Sequence, residues 1–266
     1  MDTRYKSELK NEEAATMRGP AIRVEGLTKR YRDIVAVDAI TFSVETGSFT
    51  ALLGGNGAGK TTTLAMLLGL VRPTSGRIEI LGRDFGRAAK EVLSRMNFQS
   101  PYADLPRRLT VRQNLAIYAR LYDVARPKER IRELAKELDL NQLLDRPLGE
   151  LSAGQRTRAG LAKAFINLPA LVLLDEPTAS LDPDTADWVR AFLLRYAKDA
   201  GATFLIASHN MVEVERLCDC VLMMRQGRIV DRGSPDELIA RYGRRTLEEV
   251  FLDVARNGAR GEEARP

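Results

Sequence analysis

The sequence predicts an α/β fold with a mostly parallel sheet, interrupted by a helical insertion. Short apolar, β-branched runs alternate with stretches of helical period, and these strand-like runs fall into two groups separated by a long helical region. Size agrees: 266 residues, 44% hydrophobic and 29% charged, can bury a full core as one large domain or two small ones, which excludes disorder of the whole chain.

In chain order, residues 1–20 are polar, mix both signs of charge and have no apolar run of the secretory type. This segment is expected to be disordered and the chain to stay in the cytoplasm. Ile22 to Glu25, Phe49 to Leu53 and Arg77 to Leu81 are strand candidates. Val111 to Ala125, Lys128 to Asp139 and Ala153 to Asn167 read as helices, because Leu, Ile and Ala recur at spacings of three and four. Arg126-Pro127 and Asp145 to Pro147 punctuate them. Leu171 to Asp175, Thr203 to Ser208 and Val221 to Arg225 resume the strands, and a Gln-Gly turn at Gln226-Gly227 leads into another. Leu247, Val250, Phe251 and Val254 then give one apolar helix face before a polar tail from Asn257 that is expected to fray. The division expected is a main domain over 21–240, with its helical insertion at about 102–165, and a C-terminal helix and tail over 241–266.

Bulk properties exclude several classes. Leu64 to Val71 is among the longest apolar stretches and falls far short of the roughly 20 residues that span a bilayer. Cys218 and Cys220 are too close for a useful bridge and lack the companions of a zinc site, so they read as reduced packing residues. The net charge of +5 arises from 41 basic residues interspersed with 36 acidic ones, not from a block, and no nucleic-acid partner is expected.

Gly54-Gly55-Asn56-Gly57-Ala58-Gly59-Lys60-Thr61 matches GxxxxGK[ST], follows the apolar run Thr50 to Leu53 and precedes an apolar helix that takes in Thr62. Glycines let the backbone curl so that N–H groups point inward at phosphates, and the helix N-terminus adds its positive dipole. Lys60 would pair with the β and γ phosphates and Thr61 would offer its hydroxyl to Mg²⁺. Such a loop serves many nucleotide hydrolases and transferases, so by itself it does not name the reaction.

Leu171 to Glu176 is a buried-strand run ending in two carboxylates. Asp175 would hold Mg²⁺, and Glu176, leaving the strand in the opposite direction, would polarise an attacking water as general base. Pro177 halts the strand just beyond.

Leu151-Ser152-Ala153-Gly154-Gln155 resembles the LSGGQ signature of ABC (ATP-binding cassette) ATPases. With the phosphate loop before it, and Ser180-Leu181-Asp182 and Ser208-His209 after it, the resemblance covers roughly residues 21–240. It implies a P-loop NTPase core with an antiparallel N-terminal β part and a helical insertion, ATP and Mg²⁺ as ligands, and ATP hydrolysis coupled to transport. It also implies site roles: Tyr31 stacks on adenine, Gln99 is the lid glutamine that reaches Mg²⁺ and water, Ser180, Leu181 and Asp182 form the D-loop between subunits, and His209 contacts the γ-phosphate. Ser152, Ala153, Gly154 and Gln155 would cover the ATP held by a partner, so two like subunits, identical or paired, would bind head to tail and enclose two nucleotides. A separate membrane permease would dock near Gln99, leaving this chain peripheral on the cytoplasmic face of the inner membrane. Thr246 to Leu252 resembles the ending of exporter ATPases. The rival is a soluble ABC ATPase working on ribosomes or DNA; such proteins carry two cassettes, or a coiled-coil or zinc insertion, and this sequence has neither. Two departures stand out. Gly55 occupies a position where proline is common. Ala153 replaces a glycine, at a cost of roughly 1 kcal/mol if that position needs φ > 0.

Overall fold

A computed structural model of the chain describes residues 19–100, 105–179 and 181–262, with side chains through 255. The expected disordered segment therefore lies, but for Gly19 and Pro20, outside the described residues. So does Ser180. The chain divides into two compact units, one of residues 88–203 and one of residues 17–87 and 204–266.

The second unit carries the N-terminal strands. β1 (Ile22–Tyr31) pairs antiparallel with β2 (Ile34–Val44) on one side and β4 (Ser75–Ile80) on the other, and the short β5 (Arg83–Asp84) pairs with β4. Ile22, Val24, Leu27, Val37, Ile40, Phe42, Val44, Ile78 and Ile80 are buried, largely one face of the pleat. β1 is longer than Ile22 to Glu25, because the sheet carries it past irregularities in register between Val24 and Leu27. In the same unit β3 (Phe49–Leu53) lies parallel between β8 (Thr203–Ser208) and β9 (Cys220–Arg225), and β10 (Arg228–Gly233) pairs antiparallel with β9. All five residues of β3 are buried, as in a strand covered on both faces, and Phe49 stacks on Phe204 at 4.4 Å. Gln226 and Gly227 both have positive φ, the twist that a tight hairpin requires. The helices of this unit include α1 (Lys60–Leu67) and, farther along, α7 (Met211–Leu217), α8 (Pro235–Tyr242) and α9 (Leu247–Glu262). α9 continues past Asn257, where the polar tail begins. Between α1 and α7 in the chain, α2 (Phe85–Ser94) bends at Ala88, where the two units meet in sequence.

The first unit holds β6 (Met96–Gln99), parallel to β7 (Leu171–Asp175), and the helices α3 (Val111–Leu121), α4 (Pro127–Glu137), α5 (Ala153–Ala164) and α6 (Pro183–Ala200). The three anticipated helices end earlier than their apolar period does. Asp123, Asp139 and Leu168, just beyond them, adopt left-handed φ near 50° that no helix continues through. Phe165 anchors the core, edge-on to Phe192 at 5.0 Å and tilted on Tyr196 at 4.4 Å, both from α6. The buried Arg130 donates to the Phe165 carbonyl at 2.7 Å and to Glu133 at 3.3 Å, so both terminal nitrogens of its guanidinium are partnered inside the packed helices. No described helix is long and apolar enough to cross a membrane.

Candidate nucleotide site and signature helix

The phosphate loop joins β3 to α1. Gly59, the residue before the helix, has φ 104°, and a Cβ there would lie 2.7 Å from the Ala36 carbonyl oxygen, so only glycine fits. No side chain caps α1. Its first N–H groups therefore remain directed at the loop, with the positive end of the helix dipole behind them. The Lys60 ammonium donates to the carbonyls of Gly54 at 2.5 Å and Gly55 at 3.2 Å, which holds a cation inside the loop. Asn56, Gly57 and Thr61 are exposed, Gly55 and Thr62 are half-buried and Ala58 is buried. A curled backbone, an uncapped helix start and a buried lysine suit a polyphosphate.

β8 pairs with β3 so that Leu53 lies opposite Ser208. The phosphate loop and the exposed His209 thus emerge at one edge of the same strand pair. Tyr31 ends β1, is 45% exposed and has the Lys29 ammonium 4.8 Å from its ring centre. The C-terminal helix also reaches this region. Leu247 and Val250 are fully buried, Arg225 donates to the Val254 carbonyl at 3.2 Å, and the Phe251 ring comes up to Gly55. A cavity of about 210 Å³ lies among the loop residues Gly55 to Ala58, Met224 and Phe251.

In the other unit, Gln99 lies opposite Leu174, which brings it to the strand end that carries Asp175 and Glu176, both half-buried. Glu176 has φ 50°, a left-handed conformation that costs a residue with a side chain about 1 kcal/mol and turns the chain sharply at the second carboxylate. Asp182 caps α6, accepting from the Thr185 amide at 2.9 Å and the Thr185 hydroxyl at 2.7 Å. These bonds hold its carboxyl below the usual carboxylate range. Leu181 is half-buried beside it.

The signature begins α5 with a capping box. The Gln155 amide donates to the Ser152 hydroxyl at 3.2 Å, and the Ser152 amide donates to the Gln155 side chain at 2.9 Å. Ala153 is the first helical residue and is absent from the positive-φ positions, so the anticipated alanine penalty does not arise. Gly154 faces α6: a Cβ there would touch the Thr185 methyl at 3.4 Å, which sets the signature against the start of the D-loop helix. Gln99 is buried and donates to the Ser100 carbonyl at 3.3 Å. Lys163 donates to the Phe98 carbonyl at 2.7 Å and to Asn97 at 3.3 Å, and burial pushes its ammonium down to about 8.

Sequence reasoning missed the capping box, although Ser152-x-x-Gln155 spells one. It also missed Gly160 and Lys163, whose neighbours come from a distant strand and leave no local signal.

The ABC transporter family profile matches residues 37–179, more than half of the chain. The chain belongs to the ABC transporter family. Among ABC relatives, the Nod factor export ATP-binding protein I of Ralstonia nicotianae is 38% identical over 88% of this chain and 73% of its own length. The bacitracin transport ATP-binding protein BcrA of Bacillus licheniformis is 37% identical over 87% of this chain and 76% of its own. Among solved structures, an ATP-binding subunit of an ABC transporter superposes with a TM-score of 0.79 at 26% identity, covering 88% of this chain and 99% of that one. The cbiO1 protein of Clostridium perfringens, part of the ABC transporter complex cbiONQ, superposes with a TM-score of 0.76 at 29% identity, covering 91% and 99%. This ABC chain is accordingly an ATP-binding subunit, an ATPase that serves transport. Its antiparallel N-terminal sheet, parallel-rich sheet and helical segment match the expected fold.

Proposed function

We propose that this subunit energises export through a separate membrane permease, working on the cytoplasmic face of the membrane as one of a head-to-tail pair. The observation that carries the nucleotide chemistry is the uncapped, glycine-led start of α1 with Lys60 inside the loop. Lys60 binds the β and γ phosphates, the loop amides cradle them, and Tyr31 stacks on adenine. Thr61, Asp175 and Gln99 are hard oxygen donors of the kind that suit Mg²⁺, which takes one or two carboxylates and substrate phosphates instead of an all-protein cage. When bound, the ion neutralises charge on the phosphates. The Glu176 carboxylate accepts a proton from the attacking water, and His209 steadies the γ-phosphate. Ser152 and Gly154, at a helix start, contact the γ-phosphate held by the second subunit, with the D-loop residues Ser180 to Asp182 alongside. Export is favoured by the similarity to chains named for Nod factor export and bacitracin transport, and by the Thr246 to Leu252 ending.

The test is Glu176→Gln. The amide keeps the shape of the side chain but accepts a proton poorly, so hydrolysis is expected to fall roughly 10²- to 10⁴-fold while ATP still binds. The variant should then accumulate as an ATP-dependent dimer on size-exclusion chromatography, and adding Ser152→Arg should prevent it. A variant that binds ATP yet stays monomeric would remove the head-to-tail pair, and an active one would remove Glu176 as the base.

A further inference from the structure

We propose that Gly160, in the middle of the signature helix α5, is a positioning residue for the Gln99 side chain: its bare Cα forms a socket for the Gln99 amide. The proposal rests on the reading of Gln99 as a ligand of Mg²⁺ and its water.

A Cβ on Gly160 would lie 2.5 Å from Gln99 Nε2, 2.9 Å from Cδ and 3.0 Å from Oε1. The whole amide therefore occupies the space that any other residue would fill. Glycine is a poor choice for a helix interior, so its use here sacrifices local preference for a tertiary fit. The main chain that carries Gln99 cannot back away. Lys163, one turn beyond Gly160, donates to the Phe98 carbonyl at 2.7 Å, and Asn97 donates at 2.9 Å to Asn167, just past the helix, so α5 and the residues that follow it grip β6 immediately before Gln99. The strand is held, whereas the amide sits at the end of a flexible side chain and is tied there by one long bond, to the Ser100 carbonyl at 3.3 Å, which it gives up on swinging out. On this proposal Gln99 takes two positions, one socketed against Gly160 and buried as described, the other swung out. The second is the one proposed to offer the amide oxygen to a cation. Removing the socketed position raises the population of the other, and apparent affinity scales with the competent fraction.

Gly160→Ala tests this in the full-length chain, alone and combined with Gln99→Ala, by ATP hydrolysis across a Mg²⁺ titration and by thermal unfolding. Gly160→Ala should melt no lower than the parent, because alanine favours the helix and the amide can move aside. Its half-saturating Mg²⁺ concentration should fall by roughly threefold, as expected if about a third of the molecules are competent now. In the Gln99→Ala background the Mg²⁺ shift should vanish, and Gly160→Ala should raise the melting temperature further than in the parent because nothing has to leave the socket. An unchanged Mg²⁺ dependence, a shift that persists without Gln99, or a lower melting temperature each overturns the proposal. Should Gln99→Ala alone leave the Mg²⁺ dependence and turnover untouched, the assigned role of Gln99 fails, and the melting temperatures of the four proteins still decide whether the socket exists.

Discussion

The two helix starts proposed to meet ATP are built in opposite ways. α1 opens on Gly59 with no side-chain cap, so its amides are left to a ligand and Lys60 contributes the charge. α5 opens on Ser152 with a complete capping box, so two of its backbone amides are already met by its own side chains. The first is a standing cradle for an anion; the second is a self-capped end, where the Ser152 O–H and the amides of Ala153 and Gly154 are the donors that lie outside the box. On the roles proposed above, the difference separates a terminus that is open to an anion from one that meets the nucleotide only on a partner. That fits a signature which acts only across a pair.

Removing the charge at the first start should have the largest effect. Lys60→Ala is expected to abolish tight ATP binding, with affinity lost by about 10²-fold or more, because a charge-assisted contact inside a loop is worth about 1.5–3 kcal/mol and is accompanied by lost phosphate orientation. Fluorescence titration with nucleotide measures it, and unchanged affinity would remove the phosphate-loop assignment. At the second start, Ser152→Ala should cost about 1 kcal/mol of stability through the lost cap and also weaken ATP-driven pairing. Ser234→Ala removes the equivalent box at α8 and should cost a similar amount without touching pairing. Equal pairing in both variants would show that the Ser152 hydroxyl serves only the helix.

The smallest expected effect concerns Lys163, farther along α5, whose neighbours are the Phe98 carbonyl, Asn97 and the Tyr118 ring at 5.4 Å. Its folded value of about 8 lies below the ordinary 10.5. Below pH 8 both states carry the proton and the full burial penalty is present. Between about 8 and 10.5 the unfolded chain binds a proton that the folded one has released, so stability rises with pH. The stability of the parent relative to Lys163→Met should therefore increase across that window, on the order of 1 kcal/mol or more, as read by denaturant unfolding at pH 7, 8.5 and 10. A difference independent of pH would mean that the ammonium is better solvated than its burial implies.

The sequence by itself determined the phosphate loop, the paired carboxylates and the signature, because each is a contiguous string whose chemistry depends on neighbours in the chain. It also determined β3, β7 and β8 to the residue, since a strand buried on both faces is written as an unbroken apolar run. β2 and α6 were not read, although one forms a full sheet neighbour of β1 and the other anchors Phe165. Their apolar residues are diluted by polar ones that face solvent, and only the partner surface makes the buried stripe plain. Tertiary structure alone decided where the helices stop, through left-handed residues at Asp123, Asp139 and Leu168 that carry no glycine to announce them. It alone relieved the concern over Ala153 by placing that residue within a regular helix. Above all it decided Gly160 and Lys163: a glycine and a lysine in a helix are unremarkable as letters, and they acquire meaning from a strand about sixty residues earlier in the chain that packs on them and brings Gln99 to a bare Cα.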